Sequence, residues 1–164
     1  MLERFHVPSD EAIYVDKDDM HATVVDIFLK MGMPDDEADV AADVLVYADI
    51  RGIETHGVSN MLRNYVKSFG EGGINPTPNP KIIREMPAAA TLDCDGGHGL
   101  VVGPMAMDMA IERAKVYGIG TITANNGRHF GAAAYHAAMA IDHDMIGLAM
   151  TSGGMNVVPV AGSK

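Results

Sequence analysis

The chain has 164 residues, 48% of them apolar, so it can bury a core and is not a disordered polymer. Its formal net charge of −10 sits entirely in residues 1–54, where fourteen Asp and Glu face four Lys and Arg; residues 55–164 hold eight of each. That balance excludes phosphate-driven nucleic-acid binding, and an anionic membrane surface would repel the first third of the chain. One cysteine, Cys94, excludes an intrachain disulfide and fits a reducing, cytoplasmic setting. The longest uncharged run, Met145–Ser163, carries five glycines and prolines and is not read as a membrane helix.

Residues 1–15 show no period and read as an arm. Asp16 then opens a helix whose stripe is Met20, Val24, Ile27, Phe28 and Met31, closed by Gly32. Pro34-Asp35-Asp36-Glu37 starts a second helix, with proline near its first position and carboxylates at the positive end of the dipole. Val40, Ala41, Val44, Leu45, Tyr47 and Ala48 form its buried side. A third runs from about His56 to Phe69, with Val58, Met61, Leu62, Tyr65, Val66 and Phe69 on one face. Three such helices predict a helical layer over residues 1–70. The pattern changes at Gly70-Glu71-Gly72-Gly73 and the proline-rich Asn75–Pro80, which cannot be helical. Beyond it, strands are predicted at Lys81–Glu85, Ala89–Cys94, Ile119–Ala124 and Met145–Met150. Helices are predicted at Pro104–Tyr117, closed by Gly118, and at Gly131–Ile141. The fold class is α/β (α+β), with a helical segment, 1–70, leading into a mixed segment, 71–164.

Four constellations could carry chemistry. In Asp49-Ile50-Arg51-Gly52-Ile53-Glu54-Thr55-His56-Gly57, Thr55 is a plausible N-cap, which puts His56 at the first helical position, where a neutral imidazole is favoured. Arg51 offers a planar fork for a carboxylate, or pairs with Glu54 or Asp49. In Asn125-Asn126-Gly127-Arg128-His129-Phe130-Gly131, His129 follows a strand and precedes a helix, where ligands favour α/β folds; Phe130 could wall an apolar pocket, or the stretch is a polar turn. Gly97-His98-Gly99-Leu100-Val101-Val102-Gly103 resembles a phosphate loop. The next predicted strand ends in Thr123-Ala124-Asn125 without the acid a Rossmann site requires, so a turn-and-packing role is favoured. Thr151-Ser152-Gly153-Gly154 places hydroxyls and small residues at a strand end, where a cofactor could approach closely or a plain turn form. No histidine pair has the i, i+4 spacing of a zinc motif, and no Gly-x-Ser-x-Gly elbow is present.

Taken in order, Asp-Ile-Arg-Gly-Ile-Glu-Thr-His-Gly-Val, Ala-Thr-Leu-Asp-Cys-Asp-Gly-Gly-His-Gly-Leu, Asn-Asn-Gly-Arg-His-Phe-Gly and Thr-Ser-Gly-Gly resemble the malate/L-lactate dehydrogenase family of the second type. That family includes malate, sulfolactate and ureidoglycolate dehydrogenases and cyclic imino-acid reductases. The resemblance, from Asp16 to Lys164, implies an oxidoreductase using NAD or NADP in a non-Rossmann domain with a mostly antiparallel sheet. It also implies a homodimer and hydride transfer between a 2-hydroxy acid and a 2-oxo acid. His129 is then expected as the acid/base, with His56 on the same oxygen or in that role, and Arg51 on the substrate carboxylate. Thr151, Ser152 and Gly153 match the cofactor-contacting element, although Ser152-Gly153 stands where Asn-Ser is usual. Thr55 stands where serine is common, and Ser59-Asn60 where many members carry an arginine. Members are about twice this length, so the expectation is the N-terminal part of such an enzyme, which alone binds dinucleotide weakly or not at all. A non-catalytic fragment, an imino-acid reductase and a small acidic binding module are the competing readings.

Overall fold

A computed structural model describes residue 8 and residues 10–152. Helix α1 spans Lys17–Lys30. The Asp16 carboxylate accepts from the Asp18 and Asp19 N–H groups at 2.8 and 3.3 Å, so the predicted cap is the observed one. Gly32, just past the helix, takes φ of 91°, a conformation that favours glycine. Helix α2 spans Asp35–Ile50 with Pro34 at its N-cap and three carboxylates in its first turn. Its buried face is broader than expected and includes Ala38, Ala42 and Val46. The reason is position: α2 packs against α1, α3 and α4, so a single stripe does not suffice. His21 of α1 adds a polar tie, its Nε2 lying 3.2 Å from Asp43 and 3.8 Å from Asp39 on α2.

Helix α3 spans Val58–Gly70 and α4 spans Gly99–Tyr117. One core cluster joins Val24 and Phe28 of α1, Ala41, Val44 and Leu45 of α2, Tyr65 of α3 and Leu100 and Val101 of α4. Helix α4 begins five residues before the predicted start at Pro104. The His98 Nδ1 accepts from the Leu100 N–H at 3.2 Å and caps it. Pro104 therefore lies inside the helix, where the Leu100 carbonyl loses its i+4 donor.

The strands are β1 Lys81–Met86, β2 Ala89–Asp93 and β3 Thr121–Asn125, in sheet order β1-β2-β3. The β1–β2 hairpin is antiparallel, with Lys81 opposite Asp93; β2 and β3 are parallel, with Asp93 opposite Asn125. In β2, Ala90 and Leu92 are buried; β1 is exposed along its whole length. The βαβ unit of β2, α4 and β3 aims the C-terminal ends of two strands at the 125–131 loop.

Two predicted elements differ. Helix α5 covers only Ala133–Ala138 and passes into a 3₁₀ turn, Met139–His143. Residues Met145–Met150, predicted as a strand, pair with no strand among the described residues, and Ile146, Leu148 and Met150 are exposed. The alternating pattern supplies local propensity, but a strand is stabilised only by a neighbour.

Candidate active site

The junction of α2 and α3 is built differently from the local reading. Glu54–His56 form a 3₁₀ turn, and α3 starts at Val58 with Gly57 as its N-cap. Thr55 therefore does not cap α3, and His56 is not its first residue. The Thr55 hydroxyl lies instead 2.8 Å from the His56 Nδ1. The cap comes from nine residues upstream: Asp49 Oδ2 accepts from the Val58 N–H at 2.8 Å. Gly57 allows this approach, because a Cβ there would collide with the Asp49 carboxylate. Burial raises the Asp49 pKa above its ordinary value; the Val58 N–H opposes that shift and the Glu54 charge reinforces it.

The second element, the 125–131 loop, is tied down from several sides. Asn126, at φ 54°, donates from its side chain to Asp93 at 3.0 Å. The Arg128 N–H donates to the Gly97 carbonyl at 3.1 Å and its guanidinium to the Gly73 carbonyl at 2.6 Å. Arg128 is thus a strut. The loop backbone lies against the start of α4, where a Cβ at Gly99 would meet the His129 carbonyl oxygen at 2.5 Å and the Arg128 oxygen still closer. These contacts give Gly99 the packing role favoured by the sequence. Phe130 stacks on His136 at 4.7 Å, and the His136 Nε2–H donates to the Phe130 carbonyl at 2.7 Å.

The fold brings the two motif histidines together. The His56 and His129 rings stack with centroids 5.4 Å apart and planes 17° apart. The Tyr65 hydroxyl, from α3, lies 2.8 Å from the His129 Nδ1, and the Gly131 N–H reaches the same nitrogen at 3.3 Å. Burial lowers the His129 pKa below its ordinary value, and the neighbouring His56 lowers it further. His129 is therefore neutral near pH 7 and can take up a proton. Beneath the pair lies buried His98, edge-on to Tyr65 at 4.4 Å and to Phe28 at 5.8 Å. Burial pushes its pKa down to about 3, with the nearby His129 adding to the shift and the His129 backbone opposing it.

The remaining predicted residues are placed apart from this pair. The Arg51 guanidinium lies 3.6 Å over the Tyr47 ring, and among the described residues it pairs with neither Asp49 nor Glu54. Thr151 and Ser152 are exposed, with no hydrogen bond to the histidines; Gly153 lies outside the described residues. A shallow depression lined by Glu85, Met86, Pro87, Arg113 and Tyr117 holds none of the predicted residues. Tyr65 was absent from the sequence-derived site, and His98 and Asp49 stood in its motifs without a catalytic role. For Tyr65 a signal existed: a buried tyrosine hydroxyl needs a partner, and Tyr65 lies on the apolar face of the helix that follows His56.

A profile of malate/L-lactate dehydrogenases matches residues 15–164. The chain belongs to this family. It is 44% identical over 162 residues to a malate dehydrogenase of Pyrococcus abyssi, covering 99% of this chain and 44% of that protein. It is 39% identical over 141 residues to an L-sulfolactate dehydrogenase of Methanocaldococcus jannaschii, covering 86% and 41%. The structure of malate dehydrogenase from Pyrococcus horikoshii OT3 superposes with a TM-score of 0.80 at 42% identity, covering 87% of this chain and 40% of that one. The α/β architecture is that of the family, and the chain spans less than half the length of these relatives. Among the described residues, no helix is long and apolar enough to cross a membrane.

Proposed function

We propose that this chain carries the acid/base half of a hydride-transfer site acting between a 2-hydroxy acid and a 2-oxo acid. The observation that carries the reading is the stacked His56–His129 pair, drawn from two distant motifs and held by Tyr65. In the oxidative direction, neutral His129 takes the proton of the substrate hydroxyl as hydride leaves the adjacent carbon; in reduction it returns that proton. His56 polarises the same oxygen or takes over the role. Arg51, 3.6 Å over the Tyr47 ring, offers its fork to the substrate carboxylate. The names of the relatives, malate and sulfolactate dehydrogenases, support a small anionic hydroxy acid as substrate.

The reaction also needs a hydride partner, and the donor set fits a nicotinamide dinucleotide, NAD or NADP. The hydroxyls of Thr151 and Ser152 are exposed and can donate to amide or phosphate oxygens. Thr151, Ser152 and Gly153 would hold the dinucleotide, which when bound supplies the hydride acceptor. A homodimer in the cytoplasm completes the reading.

The test is reduction of 2-oxo acids, followed by loss of reduced-nicotinamide absorbance, with the open reading frame that contains these residues. His129→Gln should lower kcat by about 10²–10⁴-fold, the range for a positioned acid/base. Near-normal kcat in this variant refutes the assignment.

A further inference from the structure

The mechanism above uses the outer reactivity of His129 and leaves unexplained what holds its other nitrogen. Its Nδ1 faces two groups. The Gly131 N–H can only donate. The Tyr65 hydroxyl, at 2.8 Å, can turn and either donate or accept. With the Gly131 N–H alone, the ring is held as the tautomer with its proton on Nε2. That form cannot take a proton at Nε2, and as a neutral imidazole it is too weak an acid to give one. Protonation on both nitrogens would set an Nδ1–H against the Gly131 N–H with no acceptor.

We infer that Tyr65 is the positioning residue for His129: its hydroxyl oxygen accepts from Nδ1–H, which leaves the Nε2 lone pair free to act as a base and keeps Nδ1–H paired once Nε2 has taken the proton. Two further observations fit this assignment. Tyr65 is 3% exposed, and burial raises its phenol pKa well above the ordinary value, so it orients the ring without becoming the proton's resting place. Its ring is also fixed, lying edge-on to buried His98 at 4.4 Å on the helix that packs into the main core. The proton balance is closed within the pair. One proton moves between Nε2 and the substrate oxygen, while Nδ1–H stays on the ring and donates to the Tyr65 oxygen throughout.

The inference rests on the reading of His129 as the acid/base, but its test does not need substrate or cofactor. Imidazole ¹⁵N shifts of His129 are followed against pH in the full chain and in Tyr65→Phe. The other groups facing His129 are His56 in the 3₁₀ turn and His98 at the start of α4, and both are titrated in the same spectra. Loss of the Tyr65 oxygen at Nδ1 removes a hydrogen bond to the charged form, so the His129 pKa should fall by about one unit. The neutral ring should shift fully to the Nε2–H tautomer. A tyrosine that serves packing alone would leave both values unchanged, since phenylalanine keeps the ring; that result overturns the inference. If Tyr65→Phe does not fold, site-specific 3-fluorotyrosine at position 65 replaces it. That phenol donates better and accepts less well, so the His129 pKa should again fall, and an unmoved titration overturns the inference. In the 2-oxo acid reduction assay, Tyr65→Phe should reduce kcat more than it raises KM. If the titration moves while His129→Gln remains active, the proposed function fails and the Tyr65–His129 coupling stands.

Discussion

Gly99 places the backbone of the candidate acid/base directly against the start of α4, which makes Gly99→Ala the most informative single methyl in the chain. A Cβ there would lie 2.5 Å from the His129 carbonyl oxygen and 2.6 Å from its carbon, with the Arg128 oxygen nearer still. An ordinary carbon–oxygen contact is about 3.3–3.6 Å, so the loop must withdraw by roughly 1 Å. The obstacles are backbone atoms, pinned by the Arg128 hydrogen bonds to Gly97 and Gly73, and cannot swing aside as a side chain would. Overpacking of this kind costs about 1–3 kcal/mol, which for a chain of this size lowers Tm by roughly 2–12 °C. The same displacement pulls His129 from Tyr65, and a 1 Å error in a catalytic group can cost about 10²-fold in rate. Thermal unfolding and the His129 titration read the two consequences separately. Gly70→Ala is the control: a Cβ there meets nothing within 4 Å, in a helix where alanine is preferred, so Tm should hold or rise slightly. Native Tm and an unshifted His129 signal in Gly99→Ala would refute the argument from close approach.

Asp49→Ala should lower stability by about 0.5–2 kcal/mol, because it removes the cap on the Val58 N–H; Asp49→Asn, whose amide oxygen can still accept from that N–H, should recover most of that loss, as denaturant unfolding will show. Stability should also fall on acidification. His98, His129 and His136 all have pKa values lowered in the folded state, chiefly by burial. The unfolded chain then binds protons that the folded chain refuses. Their contribution is whole above about pH 6.5 and is lost as pH falls towards the folded values, near 3 for His98, at up to about 1.4 kcal/mol per pH unit for each histidine. Urea unfolding between pH 7 and 4 measures it, and a midpoint independent of pH would show that these histidines titrate freely in the folded protein.

The helical layer was legible because its signals are local. Asp16 caps α1, Gly32 closes it, and the stripe through Val24 and Phe28 is the buried one. The start of α4 was not, because the cap is a histidine and the proline that marks a helix start elsewhere lies inside this one. Met145–Met150 was misread as a strand because periodicity records which face a segment could bury, not whether a partner strand stands beside it. The site divides in the same way. His56 and His129 each stand in a recognisable junction motif, yet their stacking depends on long-range packing that no spacing rule encodes. Tyr65 was legible as an apolar position on α3 whose hydroxyl needs a partner once buried, but which partner it meets is set by long-range packing.

The charge boundary at residue 54 marks where these two kinds of information meet. The acidic part ends in the turn that carries His56; it is the division between the helical segment, 1–70, and the mixed segment, 71–164, that separates His56 from His129, so neither segment alone contains the pair. What joins them is aromatic and buried: Tyr65 from α3 reaches His129, and His98 at the start of α4 packs edge-on to both Tyr65 and Phe28. His98 has its Nδ1 committed to the Leu100 N–H, while its buried Nε2, near the His129 backbone, makes no well-formed hydrogen bond among the described residues. A buried, unpaired donor costs about 1–3 kcal/mol. The helix cap it provides and the ring faces it fills offset that cost. Any substitution there trades one term against the other: asparagine keeps a cap but loses the ring, and phenylalanine keeps the ring, loses the cap and removes the orphaned N–H. The same side chain therefore sets the start of α4, against which the His129 loop rests, and backs the tyrosine that holds the His129 ring. Folding of the two segments and assembly of the candidate site are one event, because the contacts that join the segments are those that orient the histidine.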